Sequence, residues 1–222
     1  SPRLERSAAV ALSARVHGEH FSFSSLKEVM GRANEVRSGD RQAGLAARSM
    51  RAMAAAKRVL AEVTLGALYE APSIPYEDDE VTRVCVDGLD ARAFARVRSS
   101  TVAELREWLL DDATKGEDVR SIGRGLTPEM VAAVAKLMSN MDLVIAARKM
   151  RVVVRCNNTL GLAGRISSRL QPNHPTDDVQ GVLAAVKDGL SYGNGDAVIG
   201  VNPSTGDLQG TIDILKAVKD LM

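Results

Sequence analysis

Residues 169–202 read RLQPNHPTDDVQGVLAAVKDGLSYGNGDAVIGVN, and this stretch decides the fold class. It begins at the end of an apolar segment and continues into a polar loop. A helical pattern follows from Thr176, with Asp177 and Asp178 in its predicted first turn, where carboxylates stabilise a helix N-terminus. A second apolar run, residues 196–202, has the length of a short buried strand. Strand, loop, helix and strand in this order are typical of a parallel α/β sheet or barrel.

Further strand and helix signals flank this unit. The β-branched run RVVVRCN, residues 151–157, predicts a strand, and Asp207 is predicted to begin a last helix. Only about two strand and helix units follow residue 149, whereas a closed barrel needs about eight strands. We therefore predict an α/β chain with a mainly helical N-terminal region, followed by the first βα units of a TIM-type (β/α)8 barrel that is truncated.

The first two thirds of the chain is rich in helix signals. Ser25 is predicted to cap a helix over LKEVMGRANEVR, and residues 41–63 are rich in Ala, Leu, Met and Arg, which are strong helix formers. Thr101 and the glutamate three residues later make a capping box. Thr127, followed by proline at the first helical position, predicts another helix start.

The predicted domain organisation has three parts. Residues 1–23 alternate weakly between apolar and polar and form one or two strands or an extended arm. Residues 24–148 form a helical N-terminal domain. Residues 149–222 form the start of a (β/α) barrel, which is incomplete.

Composition excludes several classes of function. With 45% hydrophobic and 26% charged residues, the 222-residue chain can bury a sizeable core. A formal net charge of +1 and 3% aromatic residues argue against nucleic-acid binding. No apolar run has the length of a signal peptide or membrane span. Cys85 and Cys156 lack zinc-site spacing, so we expect buried, reduced thiols, no metal site and a cytoplasmic protein.

Polar side chains follow the two predicted strands. Arg169 and Gln171 end one strand, Asn202 ends the next, and ligands of parallel α/β folds meet the carboxyl ends of strands. Residues two apart point the same way while a strand persists. Donors and amide acceptors of this kind suit a small molecule that carries a hydroxyl or an amine. Turn and helix-cap residues would give the same pattern, so spacing alone leaves both interpretations open.

Longer motifs resemble one known family. From about residue 21 to the end, the chain is similar to the large subunit of ethanolamine ammonia-lyase. The segments that carry the resemblance are LKEVMGRANEVRSGDRQAGLAARS, IPYEDDEVTR, STVAELREWLLDD, GLTPEMVAAVAKLMSNMDLVIAARKM, SSRLQPNHPTDDVQ and GLSYGNGDAVIGVNPSTGD.

The resemblance implies an adenosylcobalamin-dependent radical enzyme that converts ethanolamine to acetaldehyde and ammonia. By matching motifs, Arg169, Gln171 and Asn202 fall on substrate-binding positions of the family, and Pro203 falls on a backbone contact to cobalamin. The resemblance also implies a hetero-oligomer with the small subunit of the enzyme. Relatives are often packaged in a bacterial microcompartment within the cytoplasm.

Large subunits of this family continue for roughly as many residues again. The resemblance therefore implies that the other barrel strands and the remaining catalytic residues lie beyond Met222. On this expectation, the chain alone neither turns over ethanolamine nor holds cobalamin tightly. The alternative is a truncated, non-catalytic interaction or assembly module derived from that subunit.

Overall fold

The computed structural model describes residues 11–155, 158–196 and 198–222, and the chain divides into two compact units. The first unit extends to Met150, and the second comprises residues 151–222. Both contain helices and short strands, and the described strands form two-stranded sheets that do not close into a barrel. Within these described ranges, no helix has the length and apolar character needed to cross a bilayer.

The first unit opens with a hairpin of β1 (Ser13–Val16) and β2 (Glu19–Ser22), which pair antiparallel. His17 and Gly18 form its turn with φ of +49° and +82°. Both dihedrals lie in the left-handed region that two-residue hairpin turns require. The earlier part of the predicted arm, residues 1–10, lies outside the described residues.

Helices make up the rest of this unit. They are α1 (Leu26–Arg32), α2 (Ser38–Gln42), α3 (Met50–Ala61), α4 (Leu65–Glu70), α5 (Glu80–Asp87), α6 (Ala91–Ala95), α7 (Val102–Leu110), α8 (Gly116–Gly123), α9 (Pro128–Lys136) and α10 (Asn140–Lys149). Their apolar faces enclose one core whose fully buried members include Val29, Leu60, Leu65, Val102 and Met130. Burial of these faces drives the association of helices that are too short to be stable alone.

Several predicted helix starts are confirmed by their capping hydrogen bonds. The Ser25 hydroxyl accepts from the N–H of the third helical residue of α1. Thr101 begins α7 in a reciprocal capping box with Glu104. Thr127 caps α9, which has proline at its first position. α1 ends at Arg32 and is shorter than the predicted LKEVMGRANEVR, and after α9 Ser139 caps a separate helix, α10.

The prediction of one helix over residues 41–63 is wrong for its first third. Gly44 adopts φ of +70°, which ends helical geometry after α2. Ser49 then caps α3 by accepting a hydrogen bond of 3.1 Å from the N–H of Ala52. Leu45, which lies within the predicted helix, is therefore outside any helix and is exposed. Helix propensity was outweighed here by a left-handed glycine and a strong cap.

The second unit contains β3 (Val154–Arg155), β4 (Thr159–Leu160), β5 (Arg169–Leu170), α11 (Val179–Ser191), β6 (Val198–Ile199) and α12 (Leu208–Leu221). β3 and β4 pair antiparallel. β5 and β6 pair directly with each other in parallel, and α11 connects them along the chain. The core of this unit joins the two helices through Val182, Val186, Ile214 and Val218. Leu170 and Ile199 of the parallel strands pack against it.

Three details of the second unit and one of the first differ from the sequence prediction. The strand predicted over residues 151–157 covers only β3, and Cys156 lies outside the described residues. The second strand is exposed at Val198 rather than buried. Asp177 is not in the first turn of α11, because Asp178 is the N-cap. In the first unit, the Cys85 thiol is free and only half-buried rather than buried.

Candidate functional site at the carboxyl ends of two parallel strands

The parallel pair of β5 and β6 sets the geometry of the candidate site. Arg169 is opposite Val198 and Leu170 is opposite Ile199. The N–H of Gly200 continues the ladder by donating to the carbonyl of Leu170 at 2.8 Å. Because the strands are parallel, the chain leaves both of them at the same edge of the sheet. Gln171 begins one exit loop, and Asn202 lies on the other.

The sequence-predicted site residues are all exposed at this edge. Arg169 lies within β5, Gln171 comes directly after it, and Asn202 and Pro203 follow β6. β5 ends at Leu170, so strand alternation does not extend to Gln171. Within the described ranges, the side chains of Arg169, Gln171 and Asn202 make no hydrogen bond or ion pair with the protein. Their donors and acceptors are therefore available to a ligand.

The Arg169 side chain crosses the neighbouring strand at Gly200. A Cβ atom placed on Gly200 would lie 2.5 Å from Nη2 and 2.7 Å from Nε of Arg169. No real side chain tolerates such distances, so the guanidinium occupies the space that a glycine leaves open. Gly200 was not predicted as a site residue, although a glycine between two β-branched residues of a predicted strand often marks a close approach.

A carboxylate joins the two exit loops. Asp177, in the loop between β5 and α11, accepts hydrogen bonds from the backbone N–H groups of Ser204 and Thr205 and from the Thr205 hydroxyl. Donation by the Thr205 hydroxyl and by the backbone N–H of Ser204 lowers the pKa of Asp177 below its usual value. Asp177 was predicted in the first turn of the helix, and this contact between the loops was not predicted.

A second carboxylate fixes the opposite edge of the sheet. Asp196 accepts from the N–H and the hydroxyl of Ser168 at 2.8 and 2.6 Å, and the N–H of Gly195 donates to that hydroxyl at 3.0 Å. The residues just before β5 and β6 are therefore tied together. Fixed strand starts and joined exit loops hold the candidate site on a defined frame.

The arrangement suits recognition of a small polar molecule. A guanidinium offers five N–H donors, and a carboxamide offers two donors and an acceptor. The hydroxyl oxygen of a ligand can accept a hydrogen bond from Arg169. The side-chain amide oxygens of Gln171 and Asn202 can accept hydrogen bonds from a hydroxyl or an ammonium group of the ligand. No group of His, Cys, Asp and Glu side chains suited to a metal ion occurs in residues 11–155, 158–196 or 198–222.

Comparisons with known proteins are specific for one family. The family model described as Ethanolamine ammonia lyase large subunit (EutB) matches residues 21–222. The ethanolamine ammonia-lyase large subunit of Escherichia coli (strain K12) is 45% identical over 207 residues, which cover 93% of this chain and 46% of the relative. The large subunit of Salmonella typhimurium (strain LT2) gives the same identity and coverage.

The chain spans about half the length of the curated relatives that it matches. The match includes both exit loops of the parallel pair and the helical first unit from residue 21 onward. Because the family model covers most of this sequence, the chain belongs to the ethanolamine ammonia-lyase large subunit family.

Proposed function

We propose that the chain supplies the N-terminal part of an adenosylcobalamin-dependent ethanolamine ammonia-lyase, which converts ethanolamine to acetaldehyde and ammonia. The observation that carries the proposal is a set of unpartnered polar side chains, Arg169, Gln171 and Asn202, at the carboxyl edge of a parallel strand pair. Family membership supports the reaction class, and the strand topology supports the place of the site.

Arg169 recognises the hydroxyl group of the substrate in this proposal. Its guanidinium donates to the substrate oxygen, and the same contact stabilises negative charge that develops there during the migration of the amine. A fixed positive charge is effective because it needs no reorganisation as charge shifts. The open space over Gly200 supports this role, since it lets the guanidinium lie across the backbone at the edge where the two strands end.

Gln171 and Asn202 complete the polar contacts. Each carboxamide has an oxygen that can accept from the substrate hydroxyl or ammonium and a nitrogen that can donate to the substrate oxygen. They reach the substrate from two different loops, so ethanolamine is oriented by both strand ends. Orientation of this kind places the carbon that loses a hydrogen atom toward the radical source.

The residues present fit one contact to adenosylcobalamin. Pro203 is exposed on the loop after β6, next to the substrate residue Asn202. The N–H groups of Ser204 and Thr205 are occupied by Asp177, so the loop offers the cofactor carbonyls and apolar ring atoms rather than donors. When bound, the cofactor supplies the homolytic cobalt–carbon cleavage that starts the radical reaction.

The proposed architecture follows the three parts predicted from sequence. Residues 1–23 form an N-terminal arm or strands, residues 24–148 a helical domain, and residues 149–222 the start of a (β/α) barrel. The parallel pairing of β5 and β6, which are connected through α11, supports the proposal that residues 149–222 belong to such a barrel. The partners are ethanolamine and the small subunit of the enzyme, in a cytoplasmic hetero-oligomer packaged in a bacterial microcompartment.

The exposure of the site residues leads us to propose that the chain alone is inactive. Radical intermediates need a site that excludes water. Arg169, Gln171, Asn202 and Pro203 are all exposed, so this chain supplies contacts without enclosing them. We expect neither turnover of ethanolamine nor tight binding of adenosylcobalamin by residues 1–222 in isolation.

A chimeric large subunit tests the proposal. The matching 207 residues of the Escherichia coli large subunit are replaced by those of this chain, and ammonia release is measured with the small subunit, ethanolamine and adenosylcobalamin. We expect turnover by the chimera and its loss in Arg169→Ala. The matched control is Arg165→Ala, which removes an exposed arginine from the preceding loop and leaves turnover unchanged.

The outcomes separate the proposal from its alternative. Ammonia release by the isolated chain would refute its inactivity. A folded chimera that binds the small subunit but lacks turnover would favour an interaction or assembly module instead. Equal activity of the chimera and its Arg169→Ala variant would remove the substrate role of Arg169.

A further inference from the structure

The carboxylate of Asp177 makes an unusually complete connection between two loops. Its two oxygens accept from the Ser204 N–H at 2.9 Å, from the Thr205 N–H at 2.7 Å and from the Thr205 hydroxyl at 2.7 Å. The Ser204 hydroxyl donates at 3.3 Å to the carbonyl of His174, which lies on the same loop as Asp177. The loop after β6 is therefore bound to the loop after β5 by side chains and backbone together.

The backbone of Asp177 is unusual, and helix formation does not require it to be so. Its φ of +53° is in the left-handed region, which costs free energy for a residue other than glycine. Asp178, the next residue, already caps α11 by accepting from the N–H of Gly181 at 2.7 Å. The left-handed conformation of Asp177 instead directs its carboxylate to the loop after β6. Strained residues of this kind cluster at functional sites.

The connection holds the segment that carries the proposed site residues. Gly200 is fixed to Leu170 by a ladder hydrogen bond, and Ser204 is fixed to Asp177. Residues 201–203, which include Asn202 and Pro203, lie between these two attachments. Release of Asp177 would leave the segment attached at its strand end and, on its other side, only by the 3.3 Å hydrogen bond from the Ser204 hydroxyl to the His174 carbonyl. The distance from Asn202 to Arg169 and Gln171 would then no longer be fixed by the Asp177 carboxylate.

We propose that Asp177 is a positioning residue, which fixes Asn202 and Pro203 relative to Arg169 and Gln171 by clamping the loop after β6 to the loop after β5. This inference rests on the proposed function and adds to it a residue that touches neither substrate nor cofactor. All the groups that meet the carboxylate are donors, so the ionised form is the one that clamps. His174 is the neighbouring titratable group, and a positive charge on its ring would also lower the pKa of Asp177.

The first test measures the clamp in this chain by amide hydrogen exchange at Ser204 and Thr205. Asp177→Gly keeps the left-handed backbone and removes the carboxylate, whereas Asp177→Asn keeps the shape and removes the charge. We expect both variants to raise exchange at the two amides by about tenfold or more, as loss of charge-assisted hydrogen bonds predicts. Asp178→Asn, which keeps a capping oxygen, is the matched control and leaves both amides protected. Unchanged exchange in Asp177→Gly would overturn the clamp.

The second test measures positioning in the chimeric enzyme with the small subunit and adenosylcobalamin. We expect Asp177→Asn to raise the KM for ethanolamine about fivefold or more while the melting temperature stays near that of the unmodified chimera. Partial misfolding would instead lower the apparent kcat and leave KM unchanged. Faster exchange at Ser204 and Thr205 with an unaltered KM would overturn the positioning role. An inactive chimera with native Asp177 would count against the proposed function, whereas the exchange result would stand.

Discussion

The guanidinium of Arg169 lies across the backbone of Gly200, the residue directly after the adjacent parallel strand β6, so that a Cβ atom on Gly200 would fit only if the guanidinium moved. The position of the Arg169 guanidinium therefore depends on the absence of a side chain at Gly200. Arg169 is the residue that we assign to the substrate hydroxyl, and Gly200 leaves open the space in which its charged end lies. A substitution at Gly200 can consequently displace the guanidinium without changing any polar group.

We predict that Gly200→Ala weakens catalysis and leaves folding intact. The added methyl group would meet the flexible end of Arg169, which can move aside at little cost to stability. A displaced guanidinium loses its charge-assisted hydrogen bond to substrate, worth about 1.5–3 kcal/mol. In the chimeric enzyme, kcat/KM for ethanolamine should fall roughly 10- to 100-fold. Steady-state kinetics and thermal melting check both parts.

Two controls accompany this substitution. Gly123→Ala adds a methyl group at the end of α8, where the added Cβ would meet no atom within 4 Å beyond its own helix and chain neighbours, so it should leave kinetics unchanged and should not lower the melting temperature. The double variant Arg169→Ala, Gly200→Ala should be no less active than Arg169→Ala alone, because the two changes act through the same contact. Additive losses would show that Gly200 acts independently of Arg169.

Burial predicts a large difference between two adjacent residues of α9. Met130 is fully buried in the core of the first unit, whereas Val131 is 50% exposed. Met130→Ala should lower the free energy of unfolding by about 2–5 kcal/mol through lost burial and a residual cavity. Val131→Ala should change it by about 0.5 kcal/mol or less. Urea denaturation monitored by circular dichroism measures both, and equal effects would contradict the packing described for α9.

The capping box of α7 predicts a smaller loss at Thr101. Its hydroxyl accepts from the N–H of Glu104, whose carboxylate accepts in turn from the N–H of Thr101 at 2.8 Å. Thr101→Ala should lower the free energy of unfolding by about 1 kcal/mol. Thr101→Ser retains the hydroxyl and should recover most of this loss in the same denaturation experiment. Equal stabilities of the alanine and serine variants would show that the hydroxyl does not cap α7.

An acidic group of α10 predicts how stability depends on pH. The N–H of Ser139 and the guanidinium of Arg106, the latter at 2.8 Å, lower the pKa of Asp142. Because the folded pKa lies below the unfolded one, Asp142 contributes its full stabilisation above about pH 4 and loses it as pH falls through the folded pKa. The stability difference between the native chain and Asp142→Asn should therefore shrink in acid. A difference that stays constant from neutral pH to about pH 3 would be inconsistent with this shift.

Local chemistry explains which parts of the fold could be predicted from sequence. Helix starts at Ser25, Thr101, Thr127 and Asp207 each have a side chain that caps the next few N–H groups, so a short stretch of sequence contains the whole interaction. The break before α3 was missed because alanine-rich sequence on both sides of Gly44 favours a helix. The backbone conformation of a glycine is set by its surroundings rather than by its neighbours in sequence.

In the candidate site, too, some features could be predicted from the sequence and others depend on the folded chain. That Gln171 and Asn202 leave the sheet at one edge follows from the order of strand, helix and strand, which the sequence contains. The role of Asp177 does not, because two consecutive aspartates both suit a helix N-terminus and only the fold determines which one caps α11. Gly200 was also missed, since the arginine that occupies its vacant space is 31 positions away in the chain.

The most direct measurement of the central claim is the affinity of the chimeric enzyme for ethanolamine and for ethylamine, which lacks the hydroxyl group. Calorimetric titration with an unreactive cobalamin bound gives both dissociation constants for the native site and for Arg169→Ala. If Arg169 binds the substrate oxygen, the native site should prefer ethanolamine by roughly 10- to 100-fold, and the variant should bind the two amines almost equally. A preference for ethanolamine that persists undiminished in Arg169→Ala would contradict the assignment of this site.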